Sequence, residues 1–131
     1  MDNTNNQVNT DWVKEFERCK PWIESALEYS LDTHDIQDIQ NDLVNNKLQL
    51  WPGEKSVIVT QILEYPKKRV MHVFLAGGDI KDIESRTDGI TAWAKLIGCN
   101  TITLTGRPGW VKSFLKNKGY KTTQVYLSKE I

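Results

Sequence analysis

Apolar residues at Trp12, Phe16, Cys19, Ile23, Ala26 and Leu27 recur three or four apart, the spacing of one helical face. Pro21 falls inside that stripe. Proline lacks the N–H that a helix interior uses, so the pattern predicts two segments, roughly 11–18 and 21–29. Ile36, Ile39 and Leu43 set against Asp35, Asp38 and Asp42 predict another amphipathic helix, capped by Asp32 or Thr33. The period then shortens. Residues 48–51 predict a short strand ended by Pro52-Gly53, and 56–65 a long one. Pro66-Lys67-Lys68 turns the chain back into strand 69–75, completing an antiparallel meander. Val70 to Leu75 is almost continuously apolar, which places this strand centrally with helices above and below.

Gly77-Gly78 ends that strand, and Asp79 caps a helix whose apolar stripe is Ile80, Ile83, Ile90, Trp93, Ala94 and Ile97. Thr87-Asp88-Gly89 is a break or bend in it, and Gly98 its stop. Strand 101–105 follows at a separation that favours parallel pairing with 69–75. Gly106-Arg107-Pro108-Gly109 leads into a short helix, 110–118, with Gly119 in the left-handed position beyond its end. A strand at 124–128 completes the sheet. The fold class is mixed α/β, of the α+β kind. It is a single domain over 11–131, with a mostly antiparallel sheet flanked by helices on both faces. Residues 1–10 are polar and Asn-rich and read as a flexible tail, with a partner-binding arm as the other use.

Composition narrows the class. A chain of 131 residues buries roughly two-thirds of its unfolded surface and needs no covalent staple. With 39% hydrophobic and 26% charged residues it is ordinary for a globular protein. No apolar run approaches a membrane span, and the start of the chain is not that of a signal peptide. A cytoplasmic setting with reduced thiols is the expectation. Cys19 and Cys99 are far apart, and with only two scattered histidines no metal spacing exists, so no metal is expected. The net charge is zero but uneven. Residues 1–65 hold 5 basic and 12 acidic side chains, and residues 66–131 hold the reverse. Such asymmetry fits two halves that pack and cancel, or a surface with one side for phosphates and one for amines.

The order strand, glycine loop, helix, strand, short helix, Gly119-Tyr120 and final strand resembles the GNAT (Gcn5-related N-acetyltransferase) superfamily. Trp110 to Tyr120 looks like that family's late helix, and 48–75 like its preceding strands. The overall style is similar to small GNAT-like proteins of tailed-phage genomes. The resemblance implies transfer of an acetyl group from acetyl-CoA to an amine substrate, small molecule or protein. It implies that pantetheine pairs with the central strand at Phe74 and Leu75, and that pyrophosphate lies on Ala76, Gly77, Gly78 and the turn from Asp79. Three positions depart from the family pattern. Asp79 and Asp82 bring negative charge to the phosphate turn, and Leu115 stands where the family often has a proton-donating tyrosine.

The candidate site residues follow. Glu64 is the candidate general base and Tyr126 the candidate acid, each with a bland alternative as an exposed charge or a packing ring. His72, inside the most apolar strand, reads first as a hydrogen-bonded core histidine. Arg107 and Trp110 stand at the carboxyl end of a parallel strand, where open sheets place ligands. Lys112, Lys116, Lys118 and Lys121 form a basic face, but few aromatics interleave them, which argues against nucleic acid. Two functions stand side by side. One is a divergent acetyltransferase. The other is a catalytically inactive binding or assembly protein of the same fold, in a virion or host cytoplasm, with a phage or host protein as partner.

Overall fold

The β-branched run of residues 56–75 builds the two longest strands, and the rest of the chain is arranged on them. The structure is a computed structural model. It describes residues 2–131, the side chains of 2–11 and of Val111 excepted. The helices are α1 (Asp2–Leu27), α2 (Ile36–Val44) and α3 (Ile80–Leu96). The strands are β1 (Gln49–Pro52), β2 (Ser56–Tyr65), β3 (Lys68–Gly78) and β4 (Thr101–Leu104). The sheet order is β1-β2-β3-β4, antiparallel at the first two junctions and parallel at the last. This is the expected mixed, mostly antiparallel sheet.

Helices cover both faces. On one, Phe16, Cys19 and Ile23 of α1 and Ile39 and Leu43 of α2 pack on Val57, Val59 and Leu75. On the other, Ile83, Ile90 and Ala94 of α3 pack on Ile58 and Met71. The alternation Val57/Ile58/Val59 therefore feeds two cores from one strand, which is why β2 is apolar on both sides.

Several local expectations change. The two predicted segments 11–18 and 21–29 are one helix, because α1 runs through Pro21. Phe16, Cys19 and Ile23 are all buried on the same face across the proline, and that packing offsets the hydrogen bond Pro21 cannot donate. Over the expected tail 1–10, the backbone of 2–10 forms the first turns of α1, while Met1 lies outside the described residues.

The cap of α2 is Asp35, not Asp32 or Thr33. Its carboxylate accepts from the Asp38 N–H at 2.9 Å, and Asp38 accepts back from the Asp35 N–H at 3.0 Å. Leu31 and Asp32 are instead in left-handed conformations in the connection. Asp79 caps α3 as expected, and Gly98 takes the left-handed position past its end. Gly89 does not break α3, and a Cβ there would meet nothing within 4 Å.

The predicted helix 110–118 is two 3-10 turns, Pro108–Lys112 and Phe114–Lys118, separated by extended Ser113. The expected strand at 124–128 does not form in this chain. Residues 120–131 take no helix or strand, and Val125, Tyr126 and Leu127 are 80%, 81% and 88% exposed. Its β-type composition finds no partner within the chain, and composition alone does not hold a strand.

Candidate functional site

The site is a fork in the sheet. β3 and β4 pair only from Val70↔Thr101 to Val73↔Leu104. The next residue, Phe74, is a bulge: Thr60 pairs with Val73 and Val59 with Leu75, leaving Phe74 without an opposite residue. Bulges bend the strand that carries them. Beyond it β3 continues along β2 to Gly78 while β4 has ended, so among the described residues no strand lies beside the β4-facing edge of 74–78.

A cavity of about 50 Å³ opens in the fork on the α3 side. Ile58, Val73, Leu75 and Ala76 form its floor, with Ile83, Thr87 and Ile90 of α3 above. Leu104, Thr105, Trp110, Phe114, Leu115 and Tyr120 close the far wall. One water needs only about 10–15 Å³ of such space, so the cavity has room for several water-sized groups.

The glycines near it have distinct causes. A Cβ at Gly106 would sit 2.7 Å from Trp110 Cδ1, so the bare backbone is what lets the indole lie against the loop and face the cavity. Trp110 in turn meets Phe114 edge-on, with centroids 6.3 Å apart. Gly77 lies under α1, where a Cβ would come to 2.6 Å from the Trp22 carbonyl oxygen. Gly78 has φ +104° and passes against the Lys55 carbonyl. The Gly77-Gly78 pair thus serves close backbone packing at the end of β3.

The start of α3 is already engaged. Asp79 caps it by accepting from the Lys81 N–H at 3.4 Å, and the Asp79 N–H donates to the Lys55 carbonyl at 2.9 Å. Asp82 turns to the β1–β2 connection and accepts from Ser56 Oγ at 2.5 Å and from the Lys55 N–H at 3.0 Å. The Ser56 hydroxyl bond, then the Lys55 amide, hold its carboxyl below the usual range. Arg86 donates to the Trp51 carbonyl at 2.9 Å.

Of the residues singled out from sequence, Leu75, Ala76 and Trp110 come together in the lining. Phe74 packs on the opposite face against His34, with ring centroids 4.8 Å apart. Arg107 lies outside the lining, its guanidinium 4.6 Å from the centre of the Tyr29 ring. Glu64 is paired with Arg69 in the register and by a salt bridge, near the hairpin end of β2. Six strand steps separate Arg69 from Leu75, about 20 Å at strand rise. Tyr126 is in the exposed last segment, away from the lining. The structure brings neither Glu64 nor Tyr126 to the fork.

Among the described residues one ionisable side chain lines the cavity, and His72 stands beside the fork on the opposite face of the sheet. Tyr120 lines the cavity, and burial pushes its phenol up, so it is protonated at neutral pH. Its signal in the sequence was the Gly119-Tyr120 step, whose N–H now donates to the Leu115 carbonyl at 3.1 Å. His72 is one residue before the last β3–β4 pair. Its Nδ1 shares a hydrogen bond with Thr103 Oγ1 at 2.8 Å, and its Nε2 lies 3.3 Å from Thr105 Oγ1. Burial pushes its pKa down, so it is neutral near pH 7.

Burial pushes both cysteine thiols up, as suits packing side chains. Among the described residues no group of three or more His, Cys, Asp or Glu side chains is placed to hold a metal ion, and no helix is long and apolar enough to cross a membrane.

No protein-family model and no curated protein sequence matches this chain. Among solved structures it is similar to a point mutant of the BH1408 protein from Bacillus halodurans, at TM-score 0.58 and 12% identity over 76% of this chain and 75% of that one. A tetramutant of BH1408 gives TM-score 0.57 and 13% identity over 97% and 89%. A transcriptional regulator from Bacillus halodurans C-125 gives 0.55 and 14% over 73% and 74%. At these identities the likeness concerns the backbone, and it establishes the fold class: a single mixed α/β domain.

Proposed function

We propose that this chain is a divergent GNAT-like acyltransferase that receives the acyl-pantetheine arm of acetyl-CoA in the fork between β3 and β4. The observation that supports the reading is the parting of two parallel strands at Val73 over an apolar cavity walled by Trp110. A slender, amide-bearing arm suits such an opening. Its amides pair with the free edge of 74–78 as an added strand would, and its thinner end meets the apolar lining.

Acetyl-CoA supplies an activated thioester carbonyl. Tyr120, held protonated by burial, is the residue of the cavity wall that donates to a leaving thiolate. The proton released by the attacking amine passes to solvent, because among the described residues no basic side chain lines the cavity and His72 points to the opposite face of the sheet. Tyr120 thus takes the role that Tyr126 holds in the sequence reading, and among the described residues no side chain of the lining takes that of Glu64.

One feature favours the second reading, a binding or assembly protein without catalysis. The Asp79 carboxylate occupies the first turn of α3, where pyrophosphate would lie, and it opposes an anion there. Calorimetric titration with acetyl-CoA and with S-acetylpantetheine separates the two. On the transferase reading both bind, thiol is released from acetyl-CoA in the presence of an amine panel, and Asp79→Asn tightens acetyl-CoA while leaving S-acetylpantetheine unchanged. Absence of acetyl-CoA binding at about millimolar concentration, corresponding to roughly −4 kcal/mol, sinks the transferase reading.

A further inference from the structure

We infer that the segment 121–131 of one copy of this chain adds as a strand to the open edge of β4 in a second copy, and that the exchange is reciprocal. β4 has β3 on one side and, among the described residues, no strand on the other. An open edge is a row of unpaired N–H and C=O groups that pairs with any strand of suitable pattern. The same molecule carries such a strand without a partner. Thr122 to Ser128 is rich in β-branched and aromatic residues, and its three consecutive large apolar side chains are at least 80% exposed.

The two patterns match face for face. Along β4, Ile102 and Leu104 point to the α3 side, where Ile102 joins the core and Leu104 lines the cavity. Thr103 points to the other side, where it meets His72. In the segment, Val125 and Leu127 alternate with Gln124, Tyr126 and Ser128. Laid beside β4, Val125 and Leu127 extend the apolar side and the hydroxyl and amide side chains extend the threonine side. A slip of one residue reverses both, so the register is specified.

The segment is also held at its root. Tyr120 lines the same cavity as Leu104, and its N–H is bound to the Leu115 carbonyl. It therefore leaves the body near the carboxyl end of β4. Within one chain the edge and the segment do not meet. A twofold axis near that point lets each copy supply what the other lacks, which closes the assembly at two. The inference is independent of what the fork binds.

The test is the oligomeric state of the whole chain by size-exclusion chromatography with light scattering. The expected mass is twice the 15.1 kDa of one chain. Deleting residues 121–131, or making Val125→Lys with Leu127→Lys, gives a monomer that keeps its circular dichroism and cooperative unfolding. In the unmodified chain, amides of 124–128 gain hydrogen-exchange protection as concentration rises. A whole chain that stays monomeric at about 100 µM overturns the inference. So does a dimer that survives the lysine pair, or protection of 124–128 that does not depend on concentration, which would mean pairing within one chain.

Discussion

Gly106→Ala is the sharpest probe of the cavity wall. Gly106 is not among the glycines with positive φ, so alanine meets no backbone penalty there. The whole effect comes from the new methyl, 2.7 Å from Trp110 Cδ1 and 3.0 Å from Nε1. Ordinary carbon contacts begin near 3.5 Å, so the indole must give way by about 0.8 Å. It packs against Phe114 and lines the cavity, so it moves toward the open space and gives up part of its packing. Overpacking of this kind costs about 1–3 kcal/mol. Urea unfolding followed by far-ultraviolet circular dichroism measures it, with m unchanged. Gly109→Ala is the control, since its methyl would meet nothing within 4 Å. In a Trp110→Leu background the Gly106→Ala cost should fall to a few tenths of a kcal/mol, a coupling typical of residues in contact. A cost of about the same size in both backgrounds refutes the contact as the reason for this glycine.

Gly77→Ala should be worse tolerated than Gly106→Ala, because its methyl meets the Trp22 carbonyl oxygen of helix α1, which is backbone and does not swing aside. A loss at or above the upper end of the overpacking range, about 3 kcal/mol, is expected in the same assay. Gly89→Ala should stabilise by about 0.5–1 kcal/mol, since Gly89 is inside α3 with open space around it; a loss would mean that α3 bends there after all. His72 should make stability fall with acidification. Its folded pKa is below the unfolded value near 6.5, so as pH drops the unfolded chain takes up the proton first and stability is lost until the folded pKa is passed. His72→Gln should flatten the unfolding midpoint between about pH 7 and pH 5.5, and an unchanged slope there would exclude this histidine as its source.

Much of the element order was legible because it rests on short-range rules. Hydrophobic period separated helix from strand at α2, β2, β3 and α3. Asp79 and Gly98 marked the ends of α3 through capping chemistry that involves only neighbours in sequence. The glycine loop after β3 was legible as a position but not as a cause. Gly77 and Gly78 are demanded by Trp22 and Lys55, about 55 and 23 residues away, and no local pattern carries that information.

The candidate site was legible in part for the same reason. Leu75, Ala76 and Trp110 reach the cavity because they stand at the ends of elements that pattern alone placed. Glu64 and Tyr126 were chosen for their chemistry, and chemistry does not report distance. Register puts Glu64 at the far end of a hairpin, and the last segment leaves Tyr126 in solvent. Tyr120 was passed over because its value depends on facing a cavity assembled from β3, α3 and β4.

By itself, then, the sequence determined the alternation of elements, the two-sided burial of the central strands and most caps, all of which depend on residues a few positions apart. Only the tertiary structure decided that α1 continues through Pro21, that β3 bulges at Phe74 and parts from β4, and that 124–128 finds no partner within its own chain. Each of those depends on which distant surface meets the segment. A buried apolar face can carry a proline, and a strand without a neighbour has nowhere to place its hydrogen bonds.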